Sequence, residues 1–405
     1  MFALFFIIAL TILVLGFTYT GWRLIGPIRL PGRWRLAAWL ALAVCFLLPL
    51  TALLSRFAGD RSLSVGILGW SGYLSLAFFN FIFFFVLGKD VARLLALVFR
   101  RTAALFGNPV KAGEKKREGA PDDTERRVFL ARVLSGSGVA LSALVVGYGV
   151  FQARRDPRVK LVHVALPNLP SSFEGFRILQ ISDLHAGSTV RRDFISRVAE
   201  TVRARKADLI AVTGDLVDGT VEQLRSDLEP LCDLEAPCGV YFVTGNHEYY
   251  SGVESWLREV ERMGMTPLLN RHRILERDGG CIVLAGVPDI RASRLEPSHI
   301  HDPAGALAGA PSDAVRILLA HQPLSIVAAE KAGYDLMICG HTHGGQYAPW
   351  MLVSGLVNRY VSGLHRHGKA QIYVSNGTGY WGPPVRVGAP SEIAEIVLHA
   401  EAKGS

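Results

Sequence analysis

The sequence predicts an α-helical membrane bundle of about four spans followed by an α/β domain. Three observations carry that reading. Long uncharged apolar runs fill the first 90 residues. Short apolar runs that end in polar clusters recur through the second half. Charge changes sign between the halves: residues 1–160 hold 21 Lys and Arg against 8 Asp and Glu, and residues 161–405 hold 22 against 27.

The spans come first in order. Residues 2–22, 36–55 and 62–88 contain no charged side chain, and about 20 such residues cross the hydrocarbon core as a helix. Three of them in succession, separated by short charged loops, exclude a lone signal peptide or core helix. A fourth run, 133–153, is richer in Gly, Ser and Ala, which suits a closely packed transmembrane helix. Orientation follows from the basic loops. Arg23, Arg29, Arg33 and Arg35 follow the first run, and Lys89, Arg93, Arg100, Arg101, Lys111 and Arg132 lie among the basic residues before the fourth. These two loops share one side, read as cytoplasmic, which puts the N-terminus and everything after the fourth span outside. Arg154, Arg155, Arg158 and Lys160 just past that span pull the other way without outweighing the larger group.

Composition narrows the function. Half of the residues are hydrophobic and the mean hydropathy is positive, high for a wholly soluble chain. The basic pI of about 9.3 belongs to the membrane half. A nucleic-acid-binding domain carries its own basic face, so the acidic second half gives no reason to expect a nucleic-acid partner. The five cysteines form no C-x-x-C pair, which leaves a zinc ribbon or thioredoxin-type site unsupported. Cys232 and Cys238 are close enough in sequence to bridge outside the cytosol, but free thiols are the simpler expectation.

From about residue 161 the chain reads as alternating strands and helices. Residues 176–181, 208–212, 239–243, 315–320 and 336–339 are apolar strands, with helices at 191–205 and 252–263 among them. Each strand runs into a polar cluster: Asp183 and His185, Asp215, Asn246, His321, then His341 and His343. The carboxyl ends of strands are where sites form in open α/β sheets. A single His at a strand end is ordinarily structural; seven metal-competent side chains at the ends of five strands read as a metal site. Asp183 and His185 are alternate residues, as are His341 and His343, so each pair faces one side of an extended chain. Asp215 has two carboxylate oxygens with which to bridge two ions. The mixture of imidazole, carboxylate and amide oxygen suits Mn, Fe, Zn or Co. Two such ions about 3.5–4 Å apart can hold a hydroxide nucleophile and the non-leaving oxygens of a phosphate. The segments 287–312 and 347–368 carry no clear element; within the second, Trp350, Leu352 and Leu356, with Leu364, either face lipid or belong to the core, and core is the expectation.

At these residues the chain resembles the calcineurin-like metallophosphoesterases. The matching motifs are Asp183-Leu184-His185, Gly214-Asp215, Gly245-Asn246-His247-Glu248, His321 and Gly340-His341-Thr342-His343. The resemblance implies a four-layer α/β/β/α metallophosphoesterase sandwich. It implies that Asp183, His185 and His343 hold one metal with Asp215, and that Asn246, His321 and His341 hold the other with the same Asp215. His247 then looks like the general acid for the leaving group, or failing that a residue that orients a ligand. A closer similarity is to the bacterial transmembrane metallophosphoesterases related to YkuE and YaeI. It rests on Gly340-His341-Thr342-His343-Gly344-Gly345-Gln346 and on the stretch from Tyr373 to Arg386. Arg386 would bind phosphate or cap the fold, since Arg is a common bidentate phosphate partner. The three apolar spans before the usual N-terminal anchor depart from that group.

The implied layout is a three-helix transmembrane region over 1–106, a basic cytoplasmic loop over 107–127, a fourth span and linker over 128–160, and a metallophosphoesterase domain over 161–405. Thr124-Glu125-Arg126-Arg127-Val128-Phe129-Leu130 resembles a twin-arginine export signal; a pair of positive-inside anchors is the competing reading. The expected protein is a multi-pass enzyme of a bacterial inner membrane, cleaving a phosphoester, chiefly a phosphodiester, on the outer side. Its expected partners are the lipid bilayer and a phosphoester substrate, among them lipid and cell-envelope components. Two other readings compete: a pyrophosphatase acting on a nucleotide-linked lipid such as UDP-2,3-diacylglucosamine, and a membrane scaffold with an inactive hydrolase-like domain. The cytosolic origin of the nucleotide-linked lipid opposes the first, and the full set of ligands opposes the second.

Overall fold

The computed structural model describes residues 2–57, 63–106 and 123–401. It falls into two compact units, residues 1–54 with 67–148, and residues 55–66 with 149–405. Most of the loop expected over 107–127 lies outside the described residues, as do residues 58–62.

The first unit is built from α1 (Phe2–Ile25), α2 (Gly32–Phe57), α3 (Leu63–Phe106) and α4 (Asp123–Arg154), the last of which continues into the second unit. Leu15, Leu40, Phe99 and Leu144 point outward and exposed, while Phe17 stacks on Phe79 inside. Among the described residues, Gly32–Ala52 and Thr124–Arg154 are long and apolar enough to cross a membrane. Helix α3 runs well past residue 88, where the apolar run ends. Residues 89–106 contain neither Gly nor Pro and are rich in Leu, Ala and Arg, strong helix formers. Asp90 in that extension pairs with Arg23 and accepts a 2.7 Å hydrogen bond from the Tyr19 hydroxyl. Helix α4 likewise begins ahead of its apolar run, so Arg126 and Arg127 stand on its first turns.

The second unit is a sandwich of two six-stranded sheets. The first sheet has β1 (Arg158–Leu166), β2 (Arg177–Ile181), β3 (Leu209–Val212), β4 (Val240–Phe242), β5 (Thr266–Pro267) and β12 (Glu392–Ala400), in the order β1-β12-β2-β3-β4-β5. The second has β6 (Arg271–Arg277), β7 (Gly280–Gly286), β8 (Val315–Leu319), β9 (Leu336–Cys339), β10 (Gly363–His367) and β11 (Ala370–Val374), in the order β10-β11-β9-β8-β7-β6. The strands β2, β3, β4 and β5 are mutually parallel, as are β7, β8, β9 and β11.

Period-two alternation places the layers. Leu209 and Ala211 of β3 enter the core between the sheets with Ile317, Leu319, Leu336 and Ile338 of the second sheet. Ile210 and Val212 turn the other way, under α5 (Arg192–Arg205), α6 (Val221–Leu228) and α8 (Val253–Arg262). On the far side, Leu318 and Met337 pack beneath α9 (Ile326–Ala332). The order of layers is therefore α/β/β/α. Each fully buried Leu or Ile contributes about 2 kcal/mol relative to exposure, which is why these strands read as unbroken apolar runs. Two short helices complete the unit, α7 (Asn246–Tyr250) and α10 (Trp350–Val357). The last corrects an expectation: Trp350, Leu352, Leu356 and Leu364 are exposed rather than core. All five cysteines, Cys232 and Cys238 included, are free.

Candidate metal centre

Buried parallel strands fix where the chain emerges, and the candidate ligands sit just past those exits. Asp183 and His185 follow β2, Asp215 follows β3, Asn246 opens α7 after β4, His321 follows β8, and His341 and His343 follow β9. Asp183, His185, Asp215, His341 and His343 adopt left-handed backbone, with φ of 54, 52, 53, 74 and 52°. Such a conformation costs a non-glycine residue about 1–3 kcal/mol and persists only where its surroundings over-determine it. Two glycines allow the crowding. A Cβ on Gly245 would fall 2.2 Å from Asp215 Oδ1, and one on Gly340 would fall 2.1 Å from Asp183 Oδ2.

The side chains converge on Asp215. Its Oδ2 lies 3.1 Å from His321 Nε2, 3.7 Å from His185 Nε2 and 3.9 Å from His247 Nε2. His343 Nε2 is 3.0 Å from His185 Nε2 and 3.6 Å from Asp183 Oδ1. His341 Nδ1 is 3.2 Å from His321 Nε2. His321 Nδ1 lies 2.8 Å from the Thr213 carbonyl, which can only accept. That nitrogen therefore carries the hydrogen, and Nε2 presents a lone pair. Asp183 is held by the amide of His341 at 2.9 and 3.0 Å and by the Ser182 hydroxyl at 2.6 Å.

Divalent metal ions fit this donor set. Three overlapping groups have ligand atoms within 4.8 Å of one another: Asp183, His185 and His343; His185, Asp215 and His247; and Asp215, His321 and His341. Two nitrogens each about 2.1 Å from one ion in tetrahedral geometry stand about 3.4 Å apart, close to the spacings of the His185–His343 and His321–His341 pairs. The buried Asn246 Oδ1 has no hydrogen-bond partner, which a buried carbonyl oxygen rarely tolerates unless something else fills its lone pairs.

Electrostatics follow from burial and crowding. Burial raises Asp183 above the usual carboxylate range. Burial also works to raise Asp215, but the charges of His321, His247 and His185 outweigh it and hold that carboxyl well below the range. Burial and the neighbouring His321 drop His341 to about 3. Burial, reinforced by His185 and Arg386, pushes His343 well below an ordinary imidazole. A neutral imidazole is the form that a metal ion would bind.

Asp218, absent from the sequence reading, and Glu248, present there only as the end of a motif, matter here. Asp218 receives His247 Nδ1 in a short hydrogen bond and lies 3.5 Å from His185 Nδ1. Glu248, buried, accepts from the amides of Asp215, Leu216 and Gly245 at 3.0, 2.7 and 2.7 Å, so it shapes the loop that carries Asp215. Burial and the Asp215 charge raise Glu248 to about 7. Arg386 is 1% exposed and donates to the carbonyls of Gly379, Ala389, Asn376 and His343. Its guanidinium hydrogens go to the chain, and burial lowers it to about 10.

A four-layer sandwich with a convergent His and carboxylate cluster past its strand ends defines a metal-dependent hydrolase. The family model for calcineurin-like phosphoesterases matches residues 176–345. A transmembrane protein with metallophosphoesterase domain from Danio rerio is 35% identical over 301 residues, 72% of this chain and 67% of its own. A metallophosphoesterase of Helicobacter pylori strain J99 is 38% identical over 259 residues, 63% of this chain and 68% of its own. The metallophosphoesterase YkuE of Bacillus subtilis is 29% identical over 286 residues, 67% of this chain and 97% of its own. The chain belongs to the calcineurin-like metallophosphoesterase family, and it is a metal-dependent phosphoesterase.

Proposed function

We propose that the protein hydrolyses phosphodiesters at the outer face of a bacterial inner membrane, to which about four spans anchor it. The observation that carries the reading is the position of the Asp215 carboxylate, within 3.1 Å of His321 Nε2 and 3.7 Å of His185 Nε2. One carboxylate so placed can serve two ions. Asp183, His185 and His343 would hold one ion with Asp215, and Asn246, His321 and His341 would hold the other. The bound pair supplies Lewis acidity toward the phosphoryl oxygens and lowers the pKa of water. The chain supplies position and a proton. Asp218 fixes His247 through Nδ1, which leaves Nε2 as the atom that delivers a proton to the leaving oxygen. Burial opposes the charged imidazolium, but Asp215 and Asp218 outweigh it and raise His247 above an ordinary histidine. Arg386 anchors the loop behind His343 and leaves phosphate to the ions.

Membrane attachment rests on the two helices long and apolar enough to span, on the uncharged runs of α1 and α3, and on the transmembrane relatives. The basic loops support a hydrolase on the outside, and the pair Arg126 and Arg127 supports an export signal, with a positive-inside anchor as the competing reading. The test of the metal centre is Asp215→Ala in the full chain. Metal content by mass spectrometry should fall and turnover of bis(p-nitrophenyl) phosphate should vanish, because both ions lose their shared ligand. A variant with full metal loading and wild-type turnover would falsify the assignment.

A further inference from the structure

Helix α10 has no buried residue. Leu352, Leu356 and Val357 are 74, 87 and 74% exposed, and Trp350 is 45% exposed. Apolar side chains turned outward around a helix serve no core of this unit, and a patch of this kind marks a binding surface. The helix is nonetheless firmly rooted. Trp350 N donates to the Tyr347 carbonyl at 2.9 Å, and a Cβ on Gly345 would fall 2.3 Å from Met351 Cα. Gly345 closes the turn that begins at His343, so α10 grows directly out of the metal centre.

Three further observations say what covers it. The first is continuity with the last turns of α4, within the same unit. Val387 N donates to the Gln346 carbonyl at 3.0 Å, and Arg386 N donates to the Gly149 carbonyl at 3.0 Å. Gly149 belongs to the last turns of α4, and a Cβ there would fall 2.4 Å from Val385 Cγ1. Residues 385–387 therefore join the end of α4 to the root of α10. The second is charge. From residue 336 to residue 391 the chain contains no Asp or Glu, while Arg359, Arg366 and Lys369 follow the apolar helix. Arg residues beside apolar and Trp side chains are the make-up of an interfacial segment on an anionic bilayer. The third is the aromatic rim. Trp381, 49% exposed, is clamped to Gln346 by its amide at 2.9 Å and its carbonyl at 3.0 Å. Its ring is centred 6.0 Å from His247, and that of Tyr250, 63% exposed, is 5.3 Å from it.

We propose that α10, flanked by Trp381, docks into the bilayer face from which α4 emerges, and that the metal centre beside it acts on phosphodiesters of lipid headgroups held there. This rests on the phosphoesterase reading for its chemistry, whereas the docking stands on α10 and the residues around it. In the reaction a water oxygen forms the new bond to phosphorus. The bond from phosphorus to the leaving alcohol breaks, and that alcohol oxygen takes a proton.

The full chain, reconstituted in vesicles of phosphatidylethanolamine and phosphatidylglycerol, gives two readouts. For the first, Leu352→Cys carries a nitroxide in a background with Cys45, Cys232, Cys238 and Cys281 changed to Ser, and Leu295→Cys, also exposed, serves as the control. The label at 352 should collide more with oxygen, which concentrates in lipid, than with a water-soluble nickel chelate, and the control should do the reverse. A label at 352 that meets the nickel chelate freely, or one shielded from both as under a second copy or another protein, overturns the docking. For the second, Leu352→Glu with Leu356→Glu should slow hydrolysis of vesicle phosphatidylglycerol by about tenfold and leave soluble bis(p-nitrophenyl) phosphate unaffected. Wild-type turnover of the soluble ester without turnover of the lipid overturns the substrate class. Failure on both esters overturns the phosphoesterase reading, and the nitroxide result then still decides the docking.

Discussion

His247 is the imidazole for which we propose a role apart from its neighbours. It shares a cluster with His185 and Asp215, yet its Nδ1 is engaged by Asp218, and this bond sets it apart where charge does not, since the buried carboxylates raise both His247 and the candidate ligand His321. A ligand imidazole must be neutral, whereas a general acid must hold its proton. His247→Ala should therefore retain both metals and lose about 10²–10⁴ in rate on alkyl phosphodiesters. Activated aryl esters, whose leaving groups need little protonation, should suffer less. An equal loss on both classes, measured as kcat, points to a positioning role. The candidate ligands were legible because each ends a buried strand, so apolar run and polar terminus appear together in the sequence. Asp218 was not. It stands three residues past Asp215 in an ordinary loop, and only the folded chain brings it to His247. Glu248 lies inside a recognised motif, but its three amide partners come from loops whose approach no spacing reveals.

At the scale of elements, the five strands that lead to the site matched their apolar runs because β2, β3, β4, β8 and β9 are covered on both faces. The strands β1, β6 and β10 alternate or lie at edges, and their weaker pattern hid them. Helix α10 departs from its expectation for a related reason: an apolar octet has the same composition whether it faces a core or the surface, and only the folded chain separates the two. Helix α3 outran its apolar run because propensity continues where hydrophobicity stops. The segment around Arg386 supports a prediction of its own. Five carbonyls depend on one buried guanidinium, and leaving such groups unpaired costs about 1–3 kcal/mol each before relaxation. Arg386→Met should thus destabilise the hydrolase unit by about 3 kcal/mol, which lowers Tm by about 6–12 °C in a unit of this size. Metal loading should weaken with it, because Arg386 holds the His343 carbonyl. Calorimetry and metal analysis on the purified chain check both. An unchanged Tm with only a raised KM returns Arg386 to the phosphate.

At the scale of the whole molecule, the proposed site is assembled from residues 183 to 343, scattered over both sheets. A site so dispersed binds its ions only after the unit has folded. Placing that unit outside the membrane poses a choice: thread an unfolded chain and load metal outside, or fold, load and then move the finished domain. Arg126 and Arg127 bear on the choice. They stand on the first turns of α4, ahead of a run rich in Gly, Ser and Ala, and an Arg pair before a moderately apolar run is how a twin-arginine signal reads. The same pair would also serve as an ordinary positive-inside anchor. Charge alone satisfies an anchor, whereas a receptor that reads guanidinium groups distinguishes Arg from Lys. Arg126→Lys with Arg127→Lys keeps the charge and removes the pair. In spheroplasts of cells making this variant, the hydrolase unit should resist external protease, while the wild-type unit is cleaved. Equal cleavage of the two proteins assigns the arginines to anchoring, with export of the domain proceeding through its preceding spans.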